Sequence, residues 1–317
     1  MTNLMLTNFC NYKCPYCFGM DYMFPKESKR EMSLETLRGL LDWMDKTPDN
    51  RSSVHLMGGE PTLHSKFEEV VFEILDRNRN IVIFSNLAAP RAPEYAEKLS
   101  LLNINWVVNV NNPKNWNAEQ NDRIRRSLKS LGTKASITFN INPDGDDDMW
   151  AVNLIEEYGL NKCIKVGFVL PTMTGSNYAL KDEQYPIVAE KLINLLKKTH
   201  KNGITATFEC GVPTCAFTDE QLGYLWSAGS MFGSRCDSRL DVSPDGYVIN
   251  CLPLAKLARV HYTEFDNYLE AKRFFDKKLL PYRRLGRKAQ CFDCVLADTT
   301  CRSGCVASIL LGAKNVK

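Results

Sequence analysis

Six short runs alternate along the chain with stretches of helical spacing, and this rhythm limits the possible folds more than any other feature. The runs "NLMLTNF", "SVHLMGG", "NIVIFSN", "INWVVNVN", "ASITFNIN" and "IKVGFVL" have strand length and strand composition. Between the first two, Leu37, Leu40, Leu41 and Met44 fall on one helical face behind Ser33, a residue type that caps helix N-termini. Phe67, Val70, Val71 and Ile74 repeat the pattern after the second run. Segments around Ile124 to Leu131, Trp150 to Tyr158 and Ile187 to Leu196 continue it, with Gly159 and Gly203 placed as helix stops. Strands alternating with helices predict parallel βαβ units, hence an open doubly wound sheet or an incomplete barrel. In either, sites are built on loops at the carboxyl ends of the strands.

With 317 residues and 44% hydrophobic content, the chain can bury a core for one large domain plus a smaller one, or for a single extended domain. Forty basic against 37 acidic residues leave a net charge of +3, too balanced to point at nucleic acid or a membrane as the principal partner. Met1 and Thr2 run straight into an apolar stretch without the basic segment of a signal peptide, and no apolar run reaches membrane-spanning length. A cytoplasmic protein is therefore expected. In that reducing compartment its 12 cysteines argue for metal ligation over disulfides. Eight of the 12 lie beyond about Thr205, together with an expected hairpin "LDVSPDGYVINC" turning at Asp245-Gly246. The change in cysteine density predicts a small metal-held unit there.

"CNYKCPYC" puts Cys10, Cys14 and Cys17 on one loop just after the first strand. Three thiolates can hold three irons of a cubane [4Fe-4S] cluster and leave the fourth iron open to a small molecule. A structural zinc site needs a fourth protein ligand. His55 and His64 are distant in sequence, although folding could bring either one in.

Cys10, Cys14 and Cys17, with aromatic Tyr16 before the last cysteine, stand in the CxxxCxxC spacing of the radical S-adenosylmethionine (SAM) superfamily, which this chain resembles. At the end of the second strand Gly58, Glu60 and Pro61, with Gly59 between, spell the GGEP that in this superfamily meets the amino group of SAM. Physical chemistry agrees, since glycine lets backbone approach a ligand closely and a glutamate can accept from an ammonium. Ser85-Asn86-Leu87 looks like a variant of the family's Thr-Asn-Gly, and the resemblance makes Asn86, Asn109 or Asn111, and Asn140 candidates for contacts to ribose or carboxylate. Strand-end asparagines can equally serve turn backbone.

Cys236, Gly246 and Cys251 resemble the first element of the SPASM extension, C-x(9-15)-G-x4-C, and Cys291, Cys294, Cys301 and Cys305 resemble its second with one residue extra. The resemblance implies a partial (β/α)6 TIM-like barrel over residues 1–204 and a small cysteine-rich SPASM-type domain over 205–317 carrying two auxiliary [4Fe-4S] clusters. By that pattern Cys236, Cys251 and Cys305 share the first auxiliary cluster with an upstream cysteine, while Cys291, Cys294 and Cys301 share the second. The family often closes the second with a further downstream cysteine, which this sequence lacks; Cys210 and Cys215 stand upstream instead, and one of them is expected to close each cluster. The alternatives are a second cluster with an open iron, or one cluster plus a zinc site. Cys163, by itself before the sixth strand, reads as a small buried hydrophobe.

The implied chemistry is reductive cleavage of SAM to a 5'-deoxyadenosyl radical, which oxidatively modifies an unactivated carbon. SPASM enzymes mostly act on ribosomally made peptides, forming thioether or carbon-carbon crosslinks, so a peptide substrate is expected. An external one-electron reductant of flavodoxin or ferredoxin type is implied as well. The first strand begins near residue 3, so leader recognition is expected from a separate protein or another surface. Leu252 stands where anaerobic sulfatase-maturing enzymes carry an aspartate base, which argues against that activity. A small-molecule radical dehydrogenase is the alternative enzyme. A non-catalytic iron-sulfur carrier or metal-stabilised binding protein is the alternative outside enzymology, and GGEP argues against it. Lys272, Arg273, Lys277, Lys278, Arg283, Arg284, Arg287 and Lys288 could hold an acidic leader or simply form the solvated face of a helix. The acidic run Asp144 to Asp148 reads as a helix cap.

Overall fold

The structure is a computed structural model. It describes residues 2–22, 30–47, 53–145, 148–172, 174–175, 177–208, 210–230, 233, 236, 239–285, 289–297, 301 and 303–315, without the side chains of 284, 285, 290 and 312–315. Chain order runs β1 (Thr2–Thr7), α1 (Leu34–Asp45), β2 (Val54–Gly58), α2 (Phe67–Asp76), β3 (Ile81–Ser85), α3 (Ala92–Leu99), β4 (Ile104–Asn109), α4 (Ala118–Leu131), β5 (Ala135–Asn140), α5 (Met149–Tyr158), β6 (Cys163–Gly167), α6 (Tyr185–Thr199) and β7 (Thr205–Phe208). These seven strands pair parallel in sequence order, the signature of successive βα crossovers. All six expected strands are present. The seventh, "TATF", is too short to stand out by alternation alone.

One face of the sheet is sealed by the helices. Leu4 and Leu6, Val54 and Leu56, Ile81 and Ile83, Trp106 and Val108, and Ile137 join one core with Leu37, Leu40, Leu41, Met44, Phe67, Val70, Val71 and Ile74. Ser33 caps α1 as its sequence predicts, its Oγ accepting from Thr36 N at 3.0 Å. Gly159 and Gly203 adopt left-handed conformations where their helices end. Asp148 occupies the N-cap position of α5 without a side-chain capping hydrogen bond, so the expected cap is not made by that residue; Asp146 and Asp147 lie outside the described residues.

Because side chains alternate along a strand, the opposite face carries Asn3 and Met5, His55 and Met57, Phe84, Asn109, Thr138 and Asn140, and Lys165. Lys165 Nζ lies 5.6 Å from the ring centre of Phe84, although β3 and β6 are separated in the sheet by β4 and β5. That contact requires strong curvature, so this polar face is the concave one of a partial barrel.

On its other side β1 pairs parallel with β8 (Leu240–Val242), which continues antiparallel into β9 (Tyr247–Ile249) and β10 (Arg259–His261). The expected hairpin is present, with Gly246 at φ +80 in the turn. The sheet therefore runs on past residue 205 at both edges, through β7 and β8, giving ten strands among the described residues. α7 (Asp219–Ser227) precedes β8; α8 (Tyr268–Leu285) and α9 (Val306–Asn315) close the chain. α8 carries the basic stretch and buries Ala271, Phe275 and Leu279. Arg273, Lys277 and Lys278 are exposed, which fits the solvated-face reading, whereas Lys272 and Arg283 are half-buried and pair with Asp276 at 3.0 and 3.1 Å. Arg287 and Lys288, and the side chain of Arg284, lie outside the described residues. Among the described residues no helix is long and apolar enough to cross a membrane.

Candidate active site at the strand ends

Beyond Thr7 the chain enters the loop of Cys10, Cys14 and Cys17, compacted by turns in which Cys17 N donates to Cys14 O (3.0 Å) and Met20 N to Cys17 O (3.3 Å). Burial pushes the Cys10 thiol up to about 12, with the neighbouring charges of Glu60, Cys14 and Cys17 adding to the rise. Burial also raises Cys14 and Cys17. The three thiols are thus close enough to oppose one another's ionisation.

GGEP clamps the base of this loop. Gly59 N donates to Thr7 O (2.8 Å) and Glu60 N to Phe9 O (2.9 Å). A Cβ on Gly58 would run into the Thr7 carbonyl, one on Gly59 into that of Phe9, and Gly58 sits at φ +146. The close approach that demands glycine here is to the protein's own cysteine loop, whereas the sequence suggested approach to a ligand. Glu60 is buried, and its Oε1 accepts from Thr62 Oγ1 (2.6 Å), Thr62 N (3.2 Å) and Ser85 Oγ (2.7 Å), while Oε2 accepts from Asn86 N (2.7 Å). Burial raises its pKa and these donors pull it back. Oε2, with one such donor, retains capacity for another. Pro61 opens the short turn that Glu60 caps.

Asn86 points its Nδ2 at Asn11 Oδ1 (2.8 Å) and at Cys10 Sγ (3.8 Å), while its Oδ1 accepts from Ala88 N (2.9 Å). It therefore serves turn backbone, one of the two readings the sequence offered, and in addition faces the cysteine loop. Asn109 and Asn140 end β4 and β5 on the concave face, and Gly167 on β6 leaves space that the Asn140 amide uses. Asn111 takes a different position, accepting from the Tyr16 hydroxyl, and both side chains also reach Cys14.

Several contributors carry no sequence signal. The Tyr12 hydroxyl is buried without a hydrogen-bond partner among the described residues, and burial together with the charges of Cys14, Glu60 and Cys10 raises its pKa to about 12. The loop after β6 closes over the cysteines: Tyr178 N donates to Pro15 O (2.8 Å) and Asn177 Nδ2 to Tyr16 O (3.3 Å). Neither histidine joins the thiols. His64 accepts from Lys66 N on Nδ1 (3.1 Å), which leaves Nε2 to donate to Met32 O (2.8 Å). His55 lies on the concave face beside Arg239 (3.5 Å).

Farther along, Cys236, Cys251 and Cys305 pack into one apolar cluster with Leu254, Leu279 and Val306. Burial pushes the Cys251 thiol well above its ordinary value, and the charges of Asp241, Cys305, Cys236 and Cys210 add to that. Thr214 N donates to Cys301 Sγ (3.4 Å), Ser303 Oγ to Cys291 Sγ (3.3 Å), and Cys294 N to Cys291 O (3.3 Å). Cys163 is half-buried on the concave face, its thiol 3.8 Å from Thr207 Oγ1 and apart from both groups. No disulfide joins any of the cysteines among the described residues. Among the described residues no three His, Cys, Asp or Glu crowd together as around a single metal ion. A cubane holds each cysteine on a different iron, so its thiolates stand wider apart than those around one zinc.

Parallel strands with a three-thiol loop at their carboxyl ends define an iron-sulfur enzyme built on a partial barrel. Residues 4–178 match the Radical SAM superfamily, and the chain belongs to that family. It is 23% identical over 270 residues to the radical SAM cyclopropyl synthase TigE of Paramaledivibacter caminithermalis, covering 78% of this chain and 56% of TigE. The chain thus spans little more than half of that relative's length. Among solved structures, Streptococcus suis SuiB bound to its precursor peptide SuiA superposes with a TM-score of 0.70 at 13% identity, covering 97% of this chain and 72% of SuiB. The enzyme anSMEcpe with bound AdoMet does so with 0.67 at 16% identity, covering 96% and 89%. At such identities the likeness is one of fold.

As a radical SAM protein it binds a [4Fe-4S] cluster and SAM. The residues present fit that pair: three soft thiols on one loop, and beside them a buried tyrosine hydroxyl that no group among the described residues satisfies.

Proposed function

We propose that the chain is a radical SAM maturase acting on a ribosomally made peptide. In this reading Cys10, Cys14 and Cys17 ligate the SAM-binding cluster, and Gly58, Gly59, Glu60 and Pro61 form the seat of the SAM amino end. Asn86, Asn109 and Asn140 face its ribose or carboxylate. The observation that carries the reading is the main-chain clamp of Gly59 and Glu60 onto Thr7 and Phe9, which fixes the three-thiol loop against the Glu60–Asn86 hydrogen bond. Cluster and SAM, when bound, supply a 5'-deoxyadenosyl radical that removes hydrogen from an unactivated carbon.

The protein's share is positioning and exclusion of water. Asn109 and Asn140 orient what lies on the concave face, and the loop through Asn177 and Tyr178 covers the cysteines from the β6 side. A peptide substrate is supported by the fold shared over nearly the whole chain with SuiB, an enzyme crystallised with its precursor peptide. Residues 205–317 form the auxiliary-cluster region in this reading, attached to the barrel through β7 and β8 and supplied with electrons by an external flavodoxin- or ferredoxin-type donor.

The test is an anaerobic assay of iron-reconstituted protein with SAM and dithionite. Wild type is expected to release 5'-deoxyadenosine and methionine, and Cys14→Ala to release neither. Fully clustered wild-type protein that fails to bind SAM would refute the enzyme reading. Candidate precursor peptides added to the same assay are expected to raise turnover and to lose mass in units of two hydrogens.

A further inference from the structure

Beyond residue 205, two loops that each carry two cysteines cross at one point. Gly304, at φ +75, sits so close to the loop leading from Cys210 to Cys215 that a Cβ there would lie 2.9 Å from Pro213 Cδ and 3.2 Å from Gly211 O. The segment Cys301–Cys305 therefore runs directly against that loop, with Gly304 at the contact. On one side of the crossing, Gly211, next to Cys210, lies against Gly304, next to Cys305, and Cys305 packs with Cys236 and Cys251 in one apolar cluster. On the other side, Thr214 donates its N–H to Cys301 Sγ at 3.4 Å and opens the short turn Thr214–Ala216 that carries Cys215. Cys301 is tied in turn to Cys291 through Ser303, and Cys291 to Cys294 through a main-chain hydrogen bond.

We propose that Cys215 is the fourth ligand of the second auxiliary cluster, with Cys291, Cys294 and Cys301, and that Cys210 completes the first with Cys236, Cys251 and Cys305. The assignment rests on the two-cluster reading above and goes beyond it in a specific way. Both ligand sets are completed from a single loop upstream of β8, so the two clusters are mechanically coupled through Gly211–Pro213. With four thiolates each, neither cluster offers an iron to a substrate atom.

The experiment uses the full chain, reconstituted anaerobically, with iron, sulfide and zinc analysis and EPR of the reduced protein. About twelve irons per chain are expected, from three [4Fe-4S] clusters. Cys215→Ala and Cys294→Ala should perturb the same auxiliary signal, whereas Cys210→Ala and Cys251→Ala perturb the other. Cys215→Ser should shift the signal that Cys215→Ala loses, since a serine oxygen can still reach the iron. Cys215 is exposed, so its replacement empties no core space. A Cys215→Ala spectrum identical to wild type, or one changed in the Cys251-linked signal, overturns the assignment. Only four irons per chain, or stoichiometric zinc, would instead overturn the two-cluster reading beneath it.

Discussion

Glu60 is the residue on which most of the site converges. Four donors from two loops meet one buried carboxylate, so replacing it strands donors that have no water to turn to. Glu60→Gln keeps the shape but offers an amide N–H₂ where a donor already points; we expect a loss of about 2 kcal/mol in chemical denaturation and a parallel loss of SAM affinity by calorimetry. His55 supplies the pH dependence at this scale. Burial, then Arg239 and Lys165, push its pKa down to about 3 from an ordinary 6.5. The folded ring thus takes up fewer protons than the unfolded one, so its contribution is full above pH 6.5 and is lost as pH falls toward 3. Between pH 7 and pH 5 the wild type should lose about 2 kcal/mol that His55→Gln does not. Unfolding curves of the two proteins at both pH values measure the difference, and parallel curves would show that His55 is not buried neutral.

At the scale of elements, the junction of β2 with the cysteine loop explains why two glycines stand together. A methyl on Gly59 meets backbone, which cannot swing aside as a side chain can. Gly59→Ala is therefore expected to destabilise the protein by more than about 2 kcal/mol and to lower iron retention after reconstitution. Gly132→Ala is the control: it sits at φ +50 with nothing within 4 Å of its Cβ position, and should cost only about 1 kcal/mol with iron content unchanged. Much of this scale was legible beforehand. The six strand runs, the helical faces of α1 and α2 and the Ser33 cap all follow from periodicity and local hydrogen bonding. β7 was missed because four residues of mixed polarity give alternation too little length to register. The acidic run does end at the N-cap of α5, Asp148, but acidic composition marks the start of a helix without fixing which side chain closes onto the backbone.

Across the whole molecule, curvature of the sheet is the property that makes a site. It brings the loop after β6 onto the loop after β1, where Asn177 holds Tyr16 O, Leu170 O and Thr172 N together. Asn177→Ala should leave the barrel folded, cost about 1–3 kcal/mol, and raise hydrogen exchange across residues 12–22; unchanged exchange there would mean that the β6 loop is not the cover. The order of strands and helices, the three-thiol loop and the glycines beside it are written locally, since each depends on neighbours within a few positions, and they could be read directly. Which distant groups meet could not be. Asn177 with Tyr16, Asn86 with Glu60, and Thr214 with Cys301 are all set by how far the sheet twists and closes. That closure is the sum of small rotations between successive strands, and no single stretch of residues encodes a sum.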